Sequence, residues 1–180
     1  MTCLFLQGGG AVRARVWIDA LPEHAILPRG LKLERRVIRS VASGAESKSV
    51  AFEVFRAHGG SFHYGLLGGS FEALETADFG FAVPVEEPVP PIVFAEPLSG
   101  KLDRVVLGGG AEYAPGIIAG IKQLDARTLP AGFLTFTCMA HGEVGSALAV
   151  FSSLARAVVR ILTRAAEPAS FADAMDLLAA

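Results

Sequence analysis

The chain has 180 residues, of which 52% are hydrophobic and only 19% charged, and its formal net charge is −2. That composition excludes a disordered chain and leaves enough apolar material for a sizeable core in one domain, or in one domain with an appended piece. It lacks the basic excess of a dedicated nucleic-acid binder, so any such role has to rest on a local patch.

Thr2 to Gln7 reads as a short strand, Gly8-Gly9-Gly10 as a turn, and Val12, Ala14, Val16 and Ile18 alternate with Arg13, Arg15, Trp17 and Asp19 at the period of a half-buried strand. The two runs suit a hairpin. The glycines cut off the apolar start, and no basic region precedes it, so no signal peptide is expected. Nor is there a run of about 18 apolar residues, so no membrane-spanning helix and no membrane partner are expected. Cys3 and Cys138 are too few for a disulfide framework and suit a reduced, cytoplasmic setting.

Pro22 and Pro28-Arg29-Gly30 punctuate a loop. Leu31 to Ala42 carries Lys32, Arg35, Arg36 and Arg39 among apolar residues and is open to strand or helix. Val50 to Phe55 reads as a strand, and Phe79, Phe81 and Val83 mark another. Between them His58-Gly59-Gly60-Ser61-Phe62-His63-Tyr64-Gly65 suits a loop leading into a strand. His58 and His63 have no third ligand at a familiar spacing, so no metal is expected there. Pro88, Pro90 and Pro91 make a rigid exposed loop joining two halves of one sheet, with Ile92 to Phe94 as a brief edge strand beyond it.

Val105-Val106-Leu107 reads as a buried strand, and Gly108-Gly109-Gly110 turns it into a helix with Pro115 in its first turn and Ile117, Ile118, Ile121 and Leu124 along one stripe. From Phe133 to Met139, Leu134, Phe136 and Cys138 alternate with Thr135, Thr137 and Met139, which predicts one apolar face. A polar turn at His141 follows. A long helix then runs from Ala147 to Arg164, with Arg156, Arg160 and Arg164 forming a cationic ridge. Ser170 and Asp173 resemble a capping box for a terminal helix with Phe171, Met175 and Leu178 inward.

Several of these motifs, in this order, resemble the fourth domain of translation elongation factor G, a fold shared with elongation factor 2 and the tetracycline-resistance ribosomal protection proteins. The factor's Gly-Gly-Arg-Gly-Gln-Tyr-Gly loop corresponds to Gly59-Gly60-Ser61-Phe62-His63-Tyr64-Gly65. Its Val-Val-Gly-Gly, Glu-Tyr-Ile-Pro and Lys-Gly-Ile steps correspond to Val105-Val106-Leu107-Gly108-Gly109-Gly110, Glu112-Tyr113-Ala114-Pro115 and Ala119-Gly120-Ile121. Its Leu-Ala-Gly and His-Asp-Val-Asp-Ser correspond to Pro130-Ala131-Gly132 and His141-Gly142-Glu143-Val144-Gly145-Ser146. The gap between the two glycine motifs is longer than in the family, and Ser61 stands where the family has a basic residue. No Gly-x-x-x-x-Gly-Lys-Ser/Thr loop is present, so no GTPase chemistry is implied.

The resemblance implies an α+β fold, a split βαβ two-layer sandwich with a mostly four-stranded sheet and helices on one face. It divides the chain into an N-terminal strand extension (1–30), the domain-four-like unit (31–164) and a C-terminal helical tail (165–180). It further implies a stand-alone, non-enzymatic module that binds ribosomal RNA or a protein partner through tip loops 58–65 and 140–146. The tip residues carried over are His58, Gly59, Gly60, Ser61 and His63, with His141, Gly142 and Glu143, and no cofactor or metal is implied. Two alternatives stand beside this reading. One is a small α+β enzyme that uses Cys138 as a thiolate activated by His141. The other is a homo-oligomeric structural protein, suited by the high apolar content.

Overall fold

The computed structural model of the chain describes residues 2–8, 12–39, 46–75, 78–163, 168 and 170–179. Eight strands form one sheet: β1 (Thr2–Gln7), β2 (Val12–Ile18), β3 (Leu33–Arg39), β4 (Lys48–His58), β5 (Ser61–Ala73), β6 (Asp78–Pro84), β7 (Val105–Leu107) and β8 (Gly132–Gly142). Three helices accompany them: α1 (Gly110–Lys122), α2 (Leu148–Thr163) and α3 (Phe171–Ala179).

The order across the sheet is β1-β2-β4-β5-β8-β6-β3, with β7 also on β8. The fold is α+β as expected, but the sheet extends beyond four strands, and the expected N-terminal hairpin is part of it. A contiguous group, β4, β5, β8 and β6, forms the middle. The remaining strands lie at its margins: the β1–β2 hairpin outside β4, β3 outside β6, and β7 on the end of β8 beyond β6.

β8 is the axis of the sheet. β5 runs antiparallel along one edge of it. The other edge is divided among three partners. β6 pairs parallel over Gly132 to Thr135, Ile26 bridges Cys138, and β7 pairs antiparallel over Ala140 to Gly142. Parallel β6 and β8 need a crossover, which α1 supplies. The proline loop stays within one sheet, but it joins β6 to β7, two strands on the same edge of β8, rather than two halves of the sheet. Ile92–Phe94 then pairs with β7, where Phe94 N–H donates to Val105 O at 3.0 Å and Leu107 N–H donates to Ile92 O at 2.8 Å.

α1 and α2 pack on one face of the sheet. Phe151, Leu154, Val158 and Leu162 on α2 are all buried, and burying side chains of this size stabilises by about 1.5–3 kcal/mol each. The Ser170–Asp173 capping box forms reciprocally: Asp173 N–H donates to Ser170 Oγ at 3.1 Å and Ser170 N–H donates to Asp173 Oδ2 at 3.0 Å.

One open reading is decided and three local expectations change. Residues 33–39 are strand, not helix; Val41 and Ala42 lie outside the described residues. Pro115 is the sixth residue of α1, because the glycine turn starts that helix one turn early, and Ala111 O loses its helical partner as a result. The apolar alternation along β8 breaks at Thr137. Adjacent Gly68 and Gly69 on β5 pair with Cys138 and Phe136, so Thr137 bulges out. Leu134 and Phe136 consequently share the helix-covered face with Met139, and Cys138 turns to the opposite face. The arginine ridge on α2 is tied down: Arg156 donates to Gln123, Ser152 and Ser153, and Arg160 donates to Leu177 O. Arg164 lies outside the described residues.

Candidate functional site

The first predicted loop is a tight hairpin. β4 ends at His58 and β5 begins at Ser61, with only Gly59 and Gly60 between them, at φ of 57° and 86°. Two successive positive φ values are the type I′ pattern, which joins twisted antiparallel strands in two residues and suits glycine at both positions. Ser61 Oγ donates back to His58 O at 2.9 Å.

The register decides which side chains face together. Arg56 pairs with His63, and His58 with Ser61. Cross-strand partners share a face, as do residues two apart, so Arg56, His58, Ser61 and His63 form one surface. All four are exposed, and the segment from Phe55 to Tyr64 contains no carboxylate. The opposite face of the hairpin is apolar. Phe55 and Phe62 rings lie 6.0 Å apart, and the Arg13 guanidinium lies 4.7 Å from the Phe55 ring centre. Arg56 was not among the expected site residues. The signal for it was available, since a Gly-Gly turn between two strands fixes its pairing with His63.

The second predicted loop abuts the base of this hairpin. Tyr64 N–H donates to Gly145 O at 2.9 Å, and Ser146 Oγ donates to Tyr64 O at 2.8 Å while accepting from Gly142 N–H at 2.9 Å. Asp103 fixes the turn from the other side. Its carboxylate accepts from Val144 N–H at 3.2 Å and from Gly145 N–H at 2.8 Å. Both predicted tips therefore lie at one end of the sheet, with the hairpin projecting beyond the turn.

The members of the second loop, unlike those of the hairpin, are tied into the fold. His141 and Gly142 belong to β8 rather than to a free loop, because pairing with β7 extends the strand through them. Gly142 is buried, and Glu143 is ion-paired with Arg104. His141 lies with its ring centre 5.4 Å from that of Tyr113, which stacks on Phe151 at 4.6 Å, and its Nδ1 lies 3.2 Å from Gly108 O. The Tyr113 hydroxyl is pushed up to about 12, first by burial and then by the Glu112 carboxylate.

His141 and Glu143 line a cleft of about 340 Å³ that also takes in Glu87, Arg104 and Glu112. The Glu87 carboxylate already occupies the first amides of α1, accepting from Gly109 N–H and Ala111 N–H. Three carboxylates against one guanidinium make this cleft a poor phosphate site.

Comparison with family models, curated proteins and solved structures finds no match to the chain.

The catalytic pair weighed from the sequence is not assembled. Cys138 and His141 are three residues apart on one strand, and the odd spacing sends them to opposite faces. Cys138 is fully buried, and burial, followed by the nearby Glu53 carboxylate, pushes its thiol well above the ordinary value, away from a thiolate. The described residues contain no group of three His, Cys, Asp or Glu side chains able to hold a metal, and no helix long and apolar enough to cross a membrane.

A larger cleft of about 590 Å³ lies on the sheet face away from the helices, with Arg15, Trp17, His24 and Glu96 in its lining. Arg15 is committed to structure there. Its Nε donates to Glu53 Oε2 at 2.7 Å, and its Nη2 donates to Glu96 O.

Proposed function

We propose that this chain is a non-enzymatic module that contacts RNA on the ribosome through one face of the β4–β5 hairpin. The observation that carries the reading is the co-facial, exposed set Arg56, His58, Ser61 and His63 at the turn end of the hairpin, where the segment from Phe55 to Tyr64 has no carboxylate. Such a surface offers a guanidinium for phosphate, and a hydroxyl and imidazoles for 2′-OH and base edges, while the two glycines let the backbone approach closely. The motif order resembling domain four of elongation factor G supports the same reading, since that domain meets RNA with the corresponding end of its sheet. The second loop then acts as a brace that holds the hairpin base rather than as a contact in its own right. A ribosomal partner makes the cytoplasm the working compartment.

The test is co-sedimentation with 70S ribosomes across a salt series. The reading expects binding at low salt that weakens as salt rises, and loss of most of it in an Arg56→Ala/His58→Ala/His63→Ala variant. Replacing Arg56 alone should lower the salt slope by about one phosphate contact. No binding at low salt, or binding indifferent to all three substitutions, overturns it.

A further inference from the structure

The two outer edges of the sheet are unlike. The β3 edge carries Glu34, Arg35, Arg36 and Arg39, the charges that keep an open edge from pairing with another chain. The β1 edge reads Thr-Cys-Leu-Phe-Leu-Gln, with no charge and no proline, and Phe5 on it is 57% exposed. Among the described residues no strand covers the outer side of β1.

The phase of the β1–β2 ladder shows what that edge presents. Gly8 N–H donates to Val12 O at 3.2 Å, and antiparallel pairs alternate between bonded and non-bonded. With the observed register, Leu4 and Leu6 therefore bond to β2 through Val16 and Ala14. The N–H and C=O groups of Cys3, Phe5 and Gln7 point outward instead.

We propose that β1 pairs antiparallel with β1 of a second copy of this chain, about a two-fold axis through Phe5. In that register Cys3 faces the second copy's Gln7, Phe5 faces its counterpart, and Gln7 faces the second copy's Cys3. Every outward amide finds a partner. Shifting the axis by one residue either way leaves one outward residue on each chain unpaired. No like charges meet: the nearest cation, Arg15, lies one strand in and is neutralised by Glu53. The two Phe5 rings come together on one face, and Leu4 and Leu6 of the two copies on the other. The result is a closed two-fold dimer with one sheet continuous through both copies. The proposal does not depend on the RNA reading.

The test is sedimentation equilibrium of the full chain with a matched crosslinking assay. The wild-type chain should be dimeric at about 100 µM, and Phe5→Lys, which sets two ammonium groups on the axis, should raise the dissociation constant by at least about tenfold with an unchanged circular dichroism spectrum. In a Cys3→Ser/Phe5→Cys variant, the two introduced thiols sit on residues about 5.5 Å apart between Cα atoms, within disulfide reach, so mild oxidation should trap the dimer. Native Cys3 lies about 13 Å along the strands from its counterpart in this register and should not crosslink. A monomeric wild-type chain, association indifferent to Phe5→Lys, or faster crosslinking through native Cys3 than in the Phe5→Cys variant each overturns the proposal.

Discussion

Tyr64 Oη donates to Glu53 Oε1 at 2.9 Å, and both residues are completely buried on the sheet face opposite the helices. The same oxygen accepts from Leu98 N–H at 2.8 Å, and Arg15 Nε reaches Oε2 at 2.7 Å. One carboxylate thus ties β2, β4, β5 and the segment after the proline loop together. Removing one partner of such a set leaves the rest buried and unsatisfied. Glu53→Ala should destabilise the fold by about 3–5 kcal/mol in denaturant unfolding, whereas replacing Arg15 and Glu53 together with Met and Leu should recover much of that loss. Equal damage from the single and double replacements would show that the cluster is not an interdependent unit.

The same carboxyl makes stability depend on pH with a definite sign. Burial raises Glu53 above its ordinary value of 4.5, and its bonds to Arg15, Leu98 and Tyr64 only partly counter that. A carboxyl raised in the folded state holds more protons folded than unfolded. Its contribution is therefore full below the unfolded value and declines as pH rises toward the folded one. Measured against Glu53→Gln, wild-type stability should fall across that window. A relative gain with rising pH would contradict the assignment.

Asp103 is the hinge pin of the turn beside the hairpin. Asp103→Ala strips the acceptors from Val144 N–H and Gly145 N–H and should cost about 1–3 kcal/mol. Hydrogen exchange should report it locally, with faster exchange at Val144, Gly145 and Tyr64, because Gly145 O is the acceptor for Tyr64 N–H. Unchanged protection at all three amides would mean that the turn is held by something else.

Glycine positions on β5 and in the hairpin turn should respond in opposite ways. A Cβ on Gly69 would stand 2.2 Å from Thr135 O, a backbone atom that cannot move aside, so Gly69→Ala should cost more than about 3 kcal/mol or prevent soluble folding. At Gly59 nothing lies within 4 Å of the added atom, and asparagine tolerates its left-handed backbone. Gly59→Asn should leave the melting temperature nearly unchanged.

Local patterns in the sequence marked the elements well. The period-two runs around Val16, Phe52 and Phe81 are strands, the helical stripe through Ile117 and Ile121 is buried, and Ser170 and Asp173 cap α3 as read. What stayed hidden is what depends on distant partners. Glu53 falls on an alternating strand where a charge reads as solvent-facing, yet it is buried and bonded to Arg15, Tyr64 and Leu98 from other parts of the chain. The bulge at Thr137 was signalled by Gly68-Gly69, but on the neighbouring strand rather than on β8 itself. At the candidate site, the glycine pair located the hairpin turn. His141 and Gly142 were misplaced because their pairing with Val106 and Val105 joins residues over thirty positions apart.

The placement of β8 also governs how the molecule is made. Synthesis delivers β1, β2, β4 and β5 as one antiparallel run, and β3 and β6 as a separate pair. The two lie side by side with no shared strand until residues 132–142 arrive to insert between β5 and β6. Sheet closure therefore waits for the last third of the chain, and such long-range pairing places folding in about the millisecond-to-second range. Until then β5 and β6 each expose an uncovered apolar edge, so a chain stalled or cut short of Gly132 is the form of this protein most apt to aggregate.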